Sequence, residues 1–307
     1  MRALIAGATG FVGRRLASTL VESGSEVRGI VRDRSRGGEL EREGVKVQQG
    51  DMLDADSLTG AGREVDTAYY LVHSMGRGGD DDFEERERVA ARNFARMARA
   101  EGVERLVYLG GLGGDRATSR HLRSRHETAA ILGAEGPPLT YFRAAMVVGA
   151  ESESYRMLRA LVQRLPFMVA PAWLDTPTQP IGIDDVVAYL EQAPTVASAE
   201  GREVQIGGPD VVSYGEMLDR MAHALGIRPR PKLRVPVLTP GLSSLWIGLV
   251  TPVDAGVARP LVEGLRTPTV IEDPSGAALF DFEPLEVEEA LRRAIAEENG
   301  RVGSARG

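Results

Sequence analysis

The sequence predicts an α/β protein built on a doubly wound parallel sheet, with a smaller second lobe formed by C-terminal insertions. Short apolar runs alternate with longer helical patterns through the first half of the chain, and this alternation is typical of parallel strands joined by helical crossovers. The chain has 307 residues, 43% of them hydrophobic. That is enough for a large buried core and for about two domains.

In the first half of the chain, strands and helices follow one another in a regular order. Strands are predicted at 2–6, 27–31, 45–48, 67–72, 105–109 and 139–142, and helices at 11–21, 83–100 and 118–132. The helix at 83–100 is the clearest, because apolar residues such as Phe83, Phe94 and Met97 recur at helical spacing. Aspartates precede it and Gly102 follows it, as is typical of helix ends.

After residue 149 the regular alternation ends. Helices are predicted at 154–165, 214–225 and 285–298, whereas 181–190 and 204–206 are predicted to return to the central sheet. We therefore expect a larger domain at 1–150 and 177–206, and a smaller lobe at 151–176 and 207–298. Residues 299–307 are expected to form a flexible tail.

Composition excludes several classes of protein. The net charge is −7, whereas nucleic-acid-binding domains carry a basic surface. The chain has no cysteine, which excludes disulfides and cysteine-ligated zinc. Its four histidines lack the HExxH spacing of zinc hydrolases, so no metal site is expected.

A glycine-rich turn joins the first predicted strand to the first predicted helix, where residues 7–13 read GATGFVG. Gly7 permits the tight turn, Gly10 lets a diphosphate approach the backbone, and Gly13 lets the helix pack closely on the strand. Unpaired N–H groups at a helix N-terminus attract phosphate. The motif therefore predicts a dinucleotide site of the Rossmann type.

The end of the second predicted strand indicates which dinucleotide binds. NAD-selective sites carry Asp or Glu there, but this chain has Arg32. A guanidinium pairs well with the 2′-phosphate of NADP(H), so NADP(H) is preferred over NAD(H). Asp33 can still reach a ribose hydroxyl, which leaves NAD(H) as the alternative. Arg34 and Arg36 are interpreted as part of a solvated loop.

Asp51 follows the third predicted strand, and two interpretations of it stay open. A carboxylate at the carboxyl end of a strand can accept a hydrogen bond from the adenine amino group. It can equally cap a short helix at residues 57–58.

These residues together resemble the NAD(P)H-binding branch of the atypical short-chain dehydrogenase/reductase family. That branch includes NmrA-like sensors, isoflavone-reductase-like enzymes and complex I accessory-subunit-like proteins. The resemblance extends from residue 1 to about residue 225. Its motifs are GATGFVG at 7–13, VR at 31–32, GD at 50–51, LVHS at 71–74, YLGG at 108–111, FRAA at 142–145 and QPIGIDD at 179–185. Besides the three glycines, the resemblance implies cofactor contacts at Thr9, Phe11, Val12, Arg32, Asp51, Met52, Leu71, Val72, His73 and Arg143.

The best-known members of this family use a serine, a tyrosine and a lysine four residues after the tyrosine. This chain cannot supply that set, because it has no lysine between Lys46 and Lys232 and no tyrosine between Tyr108 and Tyr141. The fifth predicted strand ends in two glycines, at the position of the serine.

His121 and Arg125 have the four-residue spacing that places two side chains on one helix face. In one interpretation Arg125 replaces the lysine, and His121 or His126 replaces the tyrosine as proton donor. In the other, this helix has a solvated polar face, and the protein binds NADP(H) without carbonyl reduction.

The resemblance implies an oxidoreductase acting on a hydrophobic small molecule such as a quinone, an enone or a ketone. The alternative is a non-catalytic NADPH-binding redox sensor or scaffold. The missing tyrosine and lysine argue against a third hypothesis, a sugar-nucleotide epimerase or dehydratase. We expect a cytoplasmic monomer or homodimer with no nucleic-acid partner.

Residues 235–253 carry no charge but contain Pro236, Pro240 and Pro252. We expect a packed segment and not a transmembrane helix. Peripheral contact with a membrane or an apolar partner is the alternative.

Overall fold

The computed structural model describes residues 1–72, 83–113, 120–165, 167–170, 172–234 and 264–304. Within these ranges the strands are β1 (Arg2–Ala6), β2 (Glu26–Val31), β3 (Lys46–Gln49), β4 (Thr67–Tyr70), β5 (Arg105–Gly111), β6 (Leu139–Ala144), β7 (Val147–Val148), β8 (Met168–Ala170), β9 (Pro177–Thr178), β10 (Ile181–Gly182), β11 (Glu203–Ile206), β12 (Val212–Ser213) and β13 (Lys232–Arg234). The α-helices are α1 (Phe11–Glu22), α2 (Gly38–Arg42), α3 (Phe83–Ala100), α4 (Arg120–Glu135), α5 (Glu153–Arg164), α6 (Ile183–Gln192), α7 (Tyr214–Ala224) and α8 (Val287–Ser304).

Seven strands form a central sheet in the order β11-β6-β5-β4-β1-β2-β3, with all neighbouring pairs parallel. The chain winds outward from β1 through β2 and β3, returns beside β1 as β4, and then winds the other way. In such sheets a ligand binds at the reversal, outside the carboxyl ends of the strands. The predicted fold class, a doubly wound Rossmann sheet, is confirmed.

Both faces of the central sheet are buried, because successive side chains of a strand point to opposite faces. In β1, Ile5 packs in the layer that holds α1 and α6, whereas Leu4 packs in the layer that holds α3. Both side chains are 0% exposed. A further apolar cluster joins α5, α7 and α8 beside the sheet. The predicted domain boundaries stay a prediction.

Most observed elements begin and end close to the predicted residues. Helix α3 has the predicted bounds, and Gly102 follows it with φ of 76°, a conformation that favours glycine. Helix α8 continues to Ser304, whereas the prediction ended the helix at residue 298 and placed a tail after it.

The prediction that residues 181–190 return to the central sheet is wrong. Strand β10 pairs with β7 in a separate two-stranded sheet, and α6 begins at Ile183. Ile183, Val186 and Leu190 recur at helical spacing and are buried in the layer beneath α1. Asp184 and Asp185 lie in the first turn of α6, where negative charge complements the helix dipole.

Among the helices that the structure describes, none is both long and apolar enough to cross a membrane. The uncharged segment at 235–253 lies outside the described residues, so both interpretations of it stay open. The cytoplasmic location and the monomeric or homodimeric state also stay predictions.

Candidate functional site

The glycine-rich turn between β1 and α1 has the geometry that its glycines predict. Gly7 has φ of +90°, which favours glycine. A Cβ on Gly7 would lie 2.5 Å from the carbonyl oxygen of Leu71, and a Cβ on Gly13 would overlap the carbonyl oxygen of Gly7. The turn therefore packs against both α1 and the end of β4, with no room for a side chain at either glycine.

The N-terminus of α1 opens onto this turn. Its N-cap residue is Gly10, and in this described helix no side chain caps the first turn and no acidic residue lies in it. The first N–H groups and the positive end of the helix dipole are therefore available to an anion. This cradle fits the diphosphate of a dinucleotide.

The side chains that follow the turn are anchored in the core. Phe11 and Val12 pack partly against the apolar layer beneath α1. The Cζ of Phe11 lies 2.5 Å from the position of a Cβ on Gly149, and Thr9 is half-buried. Cofactor contacts at Thr9, Phe11 and Val12 stay predictions. At these positions the backbone N–H groups are the natural donors to a diphosphate.

A basic turn follows β2 at the same edge of the sheet. Arg32 is exposed, and the Gln49 side chain donates to its carbonyl oxygen at 3.2 Å. Arg34 is 71% exposed, with its guanidinium 3.7 Å from the Glu41 carboxylate. The backbone is thus held in place while the Arg32 side chain is exposed at the carboxyl edge of the sheet.

Asp33 is engaged within this turn. Its carboxylate accepts hydrogen bonds from the Ser35 N–H at 2.9 Å and from the Ser35 hydroxyl at 2.7 Å, and it caps the 3-10 turn Arg34–Gly37. The hydrogen bonds from Ser35 lower the pKa of Asp33 below its ordinary value. The Asp-x-Ser pattern is a local signal for such a turn, and the sequence analysis missed it.

Asp51 does not cap a helix, so that alternative is wrong. Its carboxylate accepts from the Leu53 N–H at 3.0 Å, and the described 3-10 turn Asp56–Leu58 has no side-chain cap. The Ser57 hydroxyl instead accepts from the Asp51 N–H at 2.9 Å. Met52 is 8% exposed and packs in the core, so its side chain supports the loop from below.

The backbone after β4 runs beside the glycine-rich turn. The Leu71 N–H donates to the carbonyl oxygen of Ala6 at 2.8 Å, which extends the pairing of β4 with β1. Leu71 is buried and Val72 is half-buried. His73 lies outside the described residues. Leu71 and Val72 therefore lie at the reversal of the sheet, as a cofactor contact requires.

Helix α4 contains neither tyrosine nor lysine, and it places Arg125 against the end of β5. The Cδ of Arg125 lies 3.4 Å from the position of a Cβ on Gly111, and the Arg125 carbonyl oxygen accepts from the Tyr108 hydroxyl at 3.4 Å. His121 lies in the first turn of α4, but its side chain is outside the described part of the chain.

Arg143 of β6 is a buried cation at this edge, 7% exposed. Its guanidinium donates to the carbonyl oxygen of Gly111 at 3.4 Å and to that of Gly113, and it pairs with Glu203 of β11. The His126 Nε2 lies 3.2 Å from this guanidinium and 3.2 Å from the Gly113 carbonyl oxygen. Arg143 therefore joins β5, β6 and β11, and its cofactor contact stays a prediction.

Sequence reasoning missed Glu203 and Gly113 as partners of Arg143. Glu203 is 60 residues from Arg143 in the chain, and the two meet only because β11 pairs with β6. A lone glutamate at the start of a strand carries no local signal for such a contact.

Comparison with known proteins agrees with this geometry. A family model described as NAD(P)H-binding matches residues 7–159. A (4-alkanoyl-5-oxo-2,5-dihydrofuran-3-yl)methyl phosphate reductase from Streptomyces griseus is 30% identical over 225 residues, which cover 73% of this chain and 73% of that protein.

A second relative is a mitochondrial protein of Arabidopsis thaliana, NADH dehydrogenase (ubiquinone) 1 alpha subcomplex subunit 9. It is 28% identical over 247 residues, which cover 76% of this chain and 61% of the plant protein. The chain thus matches less than two thirds of the plant protein's length.

Among solved structures, an NADPH-dependent quinone oxidoreductase from Escherichia coli in complex with NADPH has the same fold. It matches with a TM-score of 0.72 and 20% identity, over 95% of this chain and 98% of that chain. Together with the uncapped helix at the reversal of the sheet, the sequence relationships show that this chain belongs to the NAD(P)H-binding branch of the atypical short-chain dehydrogenase/reductase family.

Proposed function

We propose that this chain is an oxidoreductase that uses NADP(H) to reduce a hydrophobic small molecule such as a quinone, an enone or a ketone. The observation that carries the cofactor choice is the turn after β2, where Arg32 is exposed while Asp33 is engaged by Ser35. The Streptomyces reductase supports the reaction class.

Each part of the proposed cofactor site uses a different kind of contact. The N–H groups at the start of α1 hold the diphosphate, and Arg32 holds the 2′-phosphate through charge-assisted hydrogen bonds. The Asp51 carboxylate accepts from the adenine amino group, since a carboxylate has room for further donors besides the Leu53 N–H. Bound NADPH supplies the hydride.

The residues of α4 and their neighbours complete the proposed chemistry. Arg125 lies beside the end of β5 and hydrogen-bonds to the ribose. The four-residue spacing of His121 and Arg125 in the sequence predicts one helix face for both, and His121 is proposed to donate the proton that the substrate oxygen gains on reduction. His126 lies in the network around Arg143, which favours His121 for this role.

A second candidate function is an NADPH-binding sensor or scaffold without turnover. The observation that favours it is the absence of tyrosine and lysine from α4. The relationship to the plant complex I subunit supports it as well.

A cofactor-consumption assay separates the two candidates. Purified protein is mixed with NADPH and a panel of quinones, enones and ketones, and the absorbance of NADPH is followed. Turnover that is lost in the His121→Ala variant supports the enzyme. Tight NADPH binding with no turnover across the panel supports the sensor. No binding of either pyridine nucleotide in calorimetry would contradict both.

A further inference from the structure

Three tyrosines lie side by side across the sheet, on the face covered by α3. Tyr70 of β4, Tyr108 of β5 and Tyr141 of β6 are partners in the strand register, and all three belong to one apolar layer. The ring centroids of Tyr70 and Tyr108 are 5.9 Å apart, and those of Tyr108 and Tyr141 are 5.2 Å apart. Tyr141 is the last tyrosine of the row. Beyond it lies the His126 ring, which is edge-on to Tyr141 with the two ring centroids 6.2 Å apart.

The hydroxyl of Tyr141 differs from the hydroxyls of other buried tyrosines. Tyr141 is 6% exposed, and its hydroxyl oxygen is buried without a hydrogen-bond partner among the described residues. The Tyr108 hydroxyl donates to the Arg125 carbonyl oxygen at 3.4 Å. The Tyr69 hydroxyl donates to the Leu190 carbonyl oxygen at 3.2 Å. A buried polar atom without a partner is costly and calls for an explanation, of which a contact to a ligand is one.

The position of this hydroxyl indicates what it serves. It lies 2.8 Å from the point that a Cβ on Gly110 would occupy, so the phenol fills the place of a side chain at the end of β5. Gly110 and Gly111 give this end of β5 no side chain of its own. In the strand order, β5 and β6 lie on the opposite side of β1 from β2 and the basic turn. A dinucleotide whose adenine half lies toward β2 extends its nicotinamide half toward β5.

We propose that the Tyr141 hydroxyl donates a hydrogen bond to the reacting oxygen of the bound substrate, in the place of a serine hydroxyl at the end of β5. This inference rests on the proposed function, because it assigns the contact to that same site. Burial is the main cause that raises the pKa of Tyr141 above its ordinary value. The phenol therefore stays protonated and can donate a hydrogen bond. It does not serve as a base, and the proton that balances the hydride comes from His121.

The test is the Tyr141→Phe variant, which removes only the hydroxyl. The matched control is Tyr69→Phe, because Tyr69 is also buried, on the other face of the sheet, and its hydroxyl is paired inside the protein. With NADPH and 2-methyl-1,4-naphthoquinone we expect Tyr141→Phe to lower kcat by about 100- to 1000-fold, as removal of one donor to a developing oxyanion does. Its NADPH Kd should stay within about twofold of the wild-type value, and its Tm should be unchanged or higher.

The control should show the opposite pattern. Tyr69→Phe loses a paired hydrogen bond and should lower Tm while leaving kcat within about twofold of wild type. A Tyr141→Phe variant with raised Tm and wild-type kcat would overturn the proposal, because the phenol would then serve packing alone.

A binding measurement decides the question without turnover. Quenching of tryptophan fluorescence gives the Kd of 2-methyl-1,4-naphthoquinone for protein saturated with NADP⁺. We expect Tyr141→Phe to raise this Kd about tenfold, the loss of one good hydrogen bond. Equal Kd values, or no quinone binding by the wild-type protein, overturn the proposal. If NADPH is not consumed with any acceptor but the two Kd values still differ, the proposed catalytic function fails while the Tyr141 contact stands.

Discussion

The proposed cofactor site has two ends that are built in different ways. The diphosphate end consists of the glycine-rich turn and the basic turn after β2, and the β5–β6 end consists of the carboxyl ends of those two strands. At the diphosphate end, the contacts that shape the site join near neighbours in the chain, such as the Gly10 N–H with the Gly7 carbonyl oxygen and Ser35 with Asp33. At the β5–β6 end, the contacts join distant segments, above all Arg143 with Glu203. At the first end a short peptide sequence specifies the conformation of the turn, and distant residues such as Leu71 and Gly149 pack against it. The second exists only when the whole sheet has formed.

This difference predicts where mutations act. Changes at the diphosphate end should alter nucleotide affinity while leaving most of the sheet intact. Changes to the long-range contacts of Arg143 at the β5–β6 end should alter the stability of the fold, whereas loss of the unpaired Tyr141 hydroxyl should alter the reaction alone. The following experiments test that division, beginning with the largest expected effect.

Gly13→Val should abolish useful NADPH binding. A Cβ at this position overlaps the Gly7 carbonyl oxygen, so α1 must move away from the turn. Because this moves the first N–H groups of α1 away from the diphosphate, we expect the Kd for NADPH to rise on the order of 100-fold, about 2.7 kcal/mol, as measured by calorimetry.

The matched control is Gly38→Ala. Gly38 has φ of −62°, and a Cβ there meets no atom within 4 Å. This variant should bind NADPH as the wild type does. A Gly13→Val protein with unchanged affinity would show that the diphosphate does not bind at this turn.

Arg143→Met should lower the free energy of unfolding by about 3 kcal/mol, because the carbonyl oxygens of Gly111 and Gly113 lose their buried donor. The lost ion pair adds little, since the Glu203 side chain is 44% exposed. Urea denaturation followed by circular dichroism measures this change. If unfolding is unaffected while the NADPH Kd rises more than about tenfold, Arg143 serves the cofactor and the proposed division is incorrect.

Arg2→Met is the control for this ion-pair variant. Arg2 and Asp66 form a pair whose side chains are 49% and 31% exposed. Such surface pairs contribute less than about 1 kcal/mol, so the control should unfold nearly as the wild type does.

Arg32→Ala should raise the Kd for NADPH by about 10- to 50-fold, the loss of a charge-assisted hydrogen bond to the 2′-phosphate. The Kd for NADH should stay within about twofold, since NADH lacks that phosphate. Arg34→Ala is the control and should have little effect, because the Arg34 side chain is 71% exposed and its guanidinium lies 3.7 Å from the Glu41 carboxylate. Equal affinity of the wild type for NADPH and NADH would falsify the assignment of Arg32.

Asp33→Asn should have the smallest effect, a decrease of about two- to threefold in the Kd for NADPH, because a charge that repels the 2′-phosphate is removed while screening limits the gain. The amide oxygen can still accept from Ser35. Added salt should reduce the difference between the two proteins.

The pH dependence of this difference follows from the pKa of Asp33. Because the folded-state pKa lies below its ordinary value of 3.8, the carboxylate is ionised throughout the range from about pH 5 to pH 8. Its stabilisation of the turn is present above about pH 4 and is lost as pH falls through the lowered pKa. The 2′-phosphate of NADPH gains its second charge at about pH 6, so the ratio of the two Kd values should stay constant only between about pH 7 and pH 8, where both groups are ionised. A ratio that changes across this narrower range contradicts the assignment.

Much of the fold could be predicted because its signals are local. The glycines at 7–13 and the periodicity of residues 83–100 depend on turns and faces only a few residues long. Residues 181–190 were mispredicted although Ile183, Val186 and Leu190 recur at helical spacing, because in so short an apolar run this spacing alone does not distinguish a helix from a strand. The Asx turn at Asp33 carried a local signal that was overlooked, whereas the partner of Arg143 carried none.

By itself, the sequence determined that a glycine turn opens a parallel α/β sheet, that arginine follows the second strand, and that α4 lacks tyrosine and lysine. Only the tertiary structure decided that β11 lies beside β6, that Arg143 is buried between β5 and Glu203, and that the Tyr141 hydroxyl lies beside Gly110. The reason is physical. Turn geometry and helical spacing depend on neighbouring residues, whereas strand order and the contacts of a buried cation depend on how the whole chain removes its apolar surface from water.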